Sequence, residues 1–118
     1  MDKVFVYGTL MKGRKYHNQY LFQSPYLGKA EIAGFAMYAV SACPGIVPER
    51  GEKVKGEVYE VDPETLMKLD GLEGEGSRYL RKTANVSLGE QIIPAWIYVW
   101  NQQITGKKIS YEDQPWQG

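Results

Sequence analysis

The sequence predicts an α+β fold in which six or seven strands form a curled sheet or small barrel around two short helices. Nine Tyr, three Trp and three Phe accompany thirteen Gly and six Pro, and abundant aromatics with abundant turn residues favour sheet over helical bundle. Several β-type runs recur along the chain, whereas only one segment carries a full set of helix signals. With 118 residues, at roughly 100–200 residues per domain, the chain reads as one domain spanning 1–118.

The elements follow in order. Lys3 to Tyr7 is a short strand stopped by Gly8, and Gly8 to Gly13 is a glycine-bracketed loop. Tyr16 to Phe22 provides about two turns of helix before Pro25. Tyr26 to Val40, split by Gly28 and Gly34, reads as a bent strand pair; Pro44 to Pro48 reads as a loop around Ile46-Val47, and Arg50 to Lys53 as a turn. Val54 to Val61 is a strand. The best-signalled helix follows, with Asp62 as N-cap, Pro63 at the first helical position, Glu64 in the first turn, and Gly74 and Gly76 at its end. Tyr79 to Leu88 and Gln91 to Trp100 form a hairpin through Gly89-Glu90. The tail, residues 106–118, is polar with scattered aromatics and reads as either a flexible segment or a cover for a pocket.

Composition excludes several function classes. Fourteen basic residues balance fourteen acidic ones, so no overall field draws the chain to phosphate backbones or anionic lipid, and neither nucleic acid nor membrane is an expected partner. One cysteine and one histidine, Cys43 and His17, cannot close an intrachain disulfide or build the usual Cys/His zinc sites, so no metal is expected. The N-terminus enters an alternating strand directly, without a leader, and no run of about 18 apolar residues occurs. The expectation is a soluble cytoplasmic protein, monomeric or weakly dimeric.

Two features carry chemistry. At about 100° per residue, Glu73 falls between Leu66 and Leu69 on the apolar stripe of the Asp62 helix. If the helix frays at Gly71, Glu73 simply turns to solvent. If it does not, the carboxyl is held at the edge of the core, its pKa rises, and it can serve as a general acid/base. The second feature is the run Tyr7-Gly8-Thr9-Leu10-Met11-Lys12-Gly13 after the first strand. Such a turn either connects strand to helix or presents consecutive N–H groups as a nest for a carboxylate or phosphate. It lacks Walker spacing, as does Thr105-Gly106-Lys107-Lys108, and Gly74-Glu75-Gly76 lacks the third glycine of a dinucleotide fingerprint. His17 reads as a packing or capping residue, and Cys43 as a buried or loop thiol with no base near it in sequence. Trp96, Trp100 and Trp116 read as packing residues. Asp70 and Arg81 read as a surface ion pair worth little.

Taken together, Tyr7-Gly8-Thr9-Leu10 with Lys12-Gly13, His17 and Leu21, then Gly56 to Val61, then Leu69-Asp70-Gly71-Leu72-Glu73-Gly74 followed by Tyr79 and Arg81, resemble the γ-glutamylcyclotransferase-like superfamily, and within it the γ-glutamylamine cyclotransferase-like branch. The resemblance runs from Lys3 to about Trp100 and rests on the order and spacing of the pieces. It implies a small mixed β-barrel of about six or seven strands with two short helices packed on it. It also implies an enzyme that cyclises a γ-glutamyl amine or amino acid to 5-oxoproline without a cofactor. By the same resemblance, main-chain N–H groups of Tyr7, Gly8, Thr9 and Leu10 bind the substrate's α-carboxylate, Glu73 is the catalytic base and acid, and Tyr79 and Tyr98 line the pocket. The oxyanion donor is either a backbone N–H or the Tyr79 hydroxyl, and the residues from Phe35 to Pro48, with the tail, set the leaving group. The competing reading is a small-molecule binding or regulatory module that keeps the pocket without turnover.

Overall fold

A computed structural model describes residues 1–118. In chain order the elements are β1 (Asp2–Val6), α1 (His17–Leu21), β2 (Tyr26–Ala39), β3 (Pro44–Val61), α2 (Pro63–Glu73), β4 (Tyr79–Leu88), β5 (Gln91–Trp100) and β6 (Lys108–Ile109), with a 3₁₀ turn at Tyr111–Asp113. The strand and helix counts match the α+β expectation.

The strands pair in a ring. β1 runs antiparallel to β3, β3 to β2, β2 to β4 and β4 to β5, and β5 returns to β1 in parallel at Val4 and Trp96. Two seams are narrow: β2 meets β4 only through Ala30–Leu88 and Glu31–Ser87, and β5 meets β1 at one residue pair. β6 adds to the outer end of β2 at Met37 and Tyr38.

Alternation along β1 explains why two apolar layers form. Phe5 and Tyr7 join a cluster drawn from all five ring strands, whereas Val4 and Val6 join a second cluster with Leu21, Leu66 and Leu69 beneath the helices. Side chains of period two thus feed the barrel interior and the helix layer from one strand. Both clusters consist largely of fully buried aliphatic and aromatic groups, so burial of apolar area on both faces of β1 is the main stabilising term.

Two elements differ from expectation. Tyr26 to Ala39 is one continuous strand rather than a pair, its register shifting between Tyr26 and Gly28 and again between Ala33 and Phe35. Gly28 and Gly34 adopt positive φ at these points, bending the strand without ending it. The expected loop at Pro44–Pro48 and turn at Arg50–Lys53 both lie inside one 18-residue strand, β3. Pro48 pairs with Phe35 at the edge of a register shift, a position where a missing N–H is tolerated. The β4–β5 hairpin forms as expected, Leu88 facing Gln91 and Gly89 at φ 62°.

Gly56 is needed for close approach rather than for its φ. A Cβ there would stand 2.7 Å from Phe5 Cζ and closer still to the Val6 carbonyl oxygen. Gly56→Ala is therefore expected to lower stability by about 1–3 kcal/mol. Gly71, exposed on α2 with no atom near its would-be Cβ, gives the opposite result: Gly71→Ala should add about 0.5–1 kcal/mol. Urea midpoints at unchanged m-value read both effects.

Candidate functional site

The segment that leaves β1 turns immediately. Met11 N–H donates to the Gly8 carbonyl at 3.1 Å, and Tyr16 N–H to the Thr9 carbonyl at 2.9 Å. Two side chains from elsewhere hold the loop: His17 Nδ1 lies 3.0 Å from the Leu10 carbonyl oxygen, and Glu57 Oε1 accepts the Lys12 N–H at 2.9 Å. The N–H groups of Tyr7, Gly8, Thr9 and Leu10 themselves donate to no acceptor within the protein. Four successive donors in and beside a tight turn are thus left free, each short of a hydrogen bond worth about 1 kcal/mol net. Gly8 also passes so close to Pro44 that a Cβ would meet its ring at 2.9 Å.

Glu73 is the last residue of α2. Asp62 caps the helix start, its carboxylate accepting Thr65 N–H at 2.7 Å, and Gly74 ends it in the left-handed conformation at φ 66°, ψ 48°. Helical order thus runs through Gly71 instead of fraying there, and Glu73 stays on the core-facing side. Its carboxyl makes no hydrogen bond to the protein and lines a cavity. Burial pushes its pKa from 4.5 to about 7, with the Arg78 guanidinium pulling the other way. Near neutral pH both protonation states are populated, which is what a proton carrier requires.

Three tyrosines complete the walls. Tyr7 donates to the Tyr98 carbonyl at 2.6 Å, Tyr79 to the Pro44 carbonyl at 2.7 Å, and Tyr98 to Asp70 Oδ1 at 2.8 Å. Burial raises the pKa of all three hydroxyls, so each remains protonated and each spends its proton on a protein acceptor. The Tyr79 hydroxyl proton is therefore committed to the Pro44 carbonyl. Asp70 also meets Arg81 Nε at 3.0 Å, with Arg81 stacked 4.1 Å from the Trp96 ring. The pair expected at the surface is thus half-buried and fixes the outer side of Tyr98.

One cavity of about 360 Å³ collects all these groups: Tyr7, Gly8, Thr9, Leu10, Glu73, Tyr79 and Tyr98 line it together. Sequence reasoning missed several further lining residues, among them Lys15, Tyr16 and Arg78. Ser41 to Pro44 line it as well, within the stretch expected to face the leaving group, whereas no tail residue does. Instead Gln114 is buried, its side-chain oxygen accepting Lys55 N–H at 2.8 Å, and Trp116 packs against both apolar clusters. Cys43 lines the cavity half-buried, its Sγ 3.5 Å from the Tyr79 hydroxyl. His17 stays outside it, packed against the Tyr59 ring at 5.4 Å.

Known proteins resemble this chain along nearly its whole length. The family model described as gamma-glutamyl cyclotransferase, AIG2-like, matches residues 4–118. A Methanocaldococcus jannaschii protein whose name carries the term gamma-glutamylcyclotransferase is 42% identical over 103 residues, covering 85% of each chain. The gamma-glutamylcyclotransferase family protein YtfP of Escherichia coli is 33% identical over 107 residues, covering 91% of this chain and 89% of the relative. Among solved structures, an uncharacterised Pyrococcus horikoshii protein superposes with TM-score 0.76 at 34% identity, covering 96% of this chain and 89% of its own. Since the matched residues span nearly the whole chain and include the loop, the helix end and the tyrosines that build the cavity, this chain belongs to the gamma-glutamyl cyclotransferase, AIG2-like family.

Proposed function

We propose that the protein cyclises a γ-glutamyl amine or γ-glutamyl amino acid to 5-oxoproline and releases the amine. The observation that carries this reading is a carboxyl of near-neutral pKa sharing a cavity with four unpaired backbone donors. Names of the relatives point to the same activity class.

The N–H groups of Tyr7 to Leu10 hold the substrate's α-carboxylate, which anchors one end of the glutamyl chain and lets it fold back. Glu73, as carboxylate, takes a proton from the α-ammonium, and the freed amine attacks the γ-carbonyl to close a five-membered ring. Holding nucleophile and electrophile in one chain removes most of the entropic barrier. The tetrahedral oxyanion is met by a backbone N–H, in a site where a fixed donor is worth far more than in water. Glu73 then returns its proton to the leaving nitrogen and takes up the second proton of the ring nitrogen, the C–N bond breaks, and that proton passes to the released amine, so that 5-oxoproline and an ammonium ion depart and Glu73 is again a carboxylate. Atoms balance without any co-reactant. A binding module that merely retained the pocket would have no use for a carboxyl poised between its two protonation states, whose burial in charged form opposes folding.

Three outcomes test this. Glu73→Gln should lower kcat by roughly 10²–10⁴-fold with little change in substrate affinity, read as 5-oxoproline formed from a γ-glutamyl panel; near-parental turnover would remove Glu73 from the mechanism. The pH dependence carries a sign. Between 4.5 and about 7 the native state retains a proton that the unfolded chain has released, so the Glu73 contribution to stability falls as pH rises through that window. Activity should rise through an ionisation near 7 in the parent, while Glu73→Gln should melt roughly 2–6 °C higher than the parent at pH 8 and lose that advantage at pH 4. Finally, Gly8→Val forces a side chain against Pro44 beside the donor loop, and KM should rise about tenfold, equivalent to the loss of one good contact, with the thermal midpoint reporting fold integrity.

A further inference from the structure

The charged groups of the cavity are unbalanced. Lys15, from the loop before α1, and Arg78, from the turn between α2 and β4, both line it, and Glu73 is its only acid. Both cationic side chains are exposed, which puts them at the mouth rather than the floor. Their positions are restrained: Lys15 Nζ lies 5.1 Å from the Tyr16 ring centre, and Arg78 Nη2 donates to the Leu72 carbonyl at 2.8 Å. Glu73 feels the Arg78 guanidinium without forming an ion pair with it, and the other nearby acids are engaged elsewhere. Glu57 accepts from Lys12 N–H and the Tyr59 hydroxyl, Asp70 pairs with Arg81, and Glu75 accepts the Arg81 N–H. Neither Lys15 nor Arg78 forms an ion pair with any carboxylate.

In the reaction proposed above, on which this inference rests, the glutamyl half occupies the donor loop and the Glu73 wall. The substituent on the leaving nitrogen is the part that extends to the mouth. We propose that Lys15 and Arg78 are specificity residues that select leaving amines bearing a carboxylate, so that γ-glutamyl amino acids and peptides are preferred over γ-glutamyl diamines. A leaving group with a second ammonium would meet two like charges there, and like-charge juxtaposition excludes partners more effectively than attraction recruits them. Exposed pairs act weakly one by one, so two cations together give a preference of about three- to tenfold.

The test compares three substrates of similar size: γ-glutamylalanine (anionic leaving group), γ-glutamylethylamide (neutral) and γ-glutamylputrescine (cationic). 5-Oxoproline formation gives kcat/KM for each. The expected order is anionic over neutral over cationic, with the anionic-to-neutral ratio shrinking in 0.5 M salt as the Debye length falls to roughly 4 Å. In the Lys15→Gln/Arg78→Gln double variant the ratio should approach one, and in Lys15→Arg/Arg78→Lys it should persist, which separates charge from the Leu72 hydrogen bond. Equal or reversed preference in the parent, or a ratio unchanged in the glutamine variant, overturns the inference while leaving the cyclisation standing. No 5-oxoproline from any of the three in the folded parent overturns the cyclisation, and this inference with it.

Discussion

Everything in the molecule depends on β1 being buried on both faces. A strand that feeds one apolar cluster with Phe5, and with Tyr7 just past its end, and another with Val4 and Val6 cannot slide by one position without exchanging the two. Its register fixes β3 on one side and β5 on the other, and it delivers its C-terminal end to the same place every time. The donor loop is simply what the chain does on leaving that strand. Gly56 permits the contact from β3, where any side chain would push Phe5 and the Val6 carbonyl aside. The Tyr7–Leu10 loop is thereby set directly on a strand buried on both faces, which is where groups hold their geometry best.

Glu73 sits where two stabilising tendencies end. α2 is closed by a left-handed glycine directly after it, so the carboxyl is carried by the last full turn of a capped helix and not by a mobile loop. Burial disfavours its charge, and the Arg78 guanidinium only partly offsets this. The fold therefore tolerates a locally unfavourable group on the wall of the cavity that the Tyr7–Leu10 loop also lines, a conflict between stability and chemistry typical of active sites.

Much of this was legible from local chemistry. Asp62-Pro63 and Gly74 mark α2 because capping is decided within a few residues, and the stripe through Leu66, Leu69 and Glu73 follows from helical geometry alone. The hairpin at Gly89-Glu90 is equally local. β2 and β3 were harder to read because their glycines and proline look like stops, yet their long ladder absorbs them as bulges, and only pairing partners far along the chain reveal this. Lys15, Arg78 and the Ser41–Pro44 segment reach the cavity through tertiary placement, with no pattern in their own neighbourhoods to announce it. The tail eluded reading for a similar reason: its anchor, Gln114, is a polar residue buried by hydrogen bonds to β3 backbone and not by an apolar stripe.

The three tyrosine hydroxyls have one further consequence. Each gives its only proton to a fixed protein acceptor, the Tyr98 carbonyl, the Pro44 carbonyl or Asp70. What these three hydroxyls leave for an occupant is lone pairs, while the unpaired main-chain N–H groups of Tyr7 to Leu10, with Lys15 and Arg78, are the donors of the lining. Acceptors and donors thus come from different groups of the lining, so an occupant that carries both kinds of group is discriminated by its orientation as well as by its size.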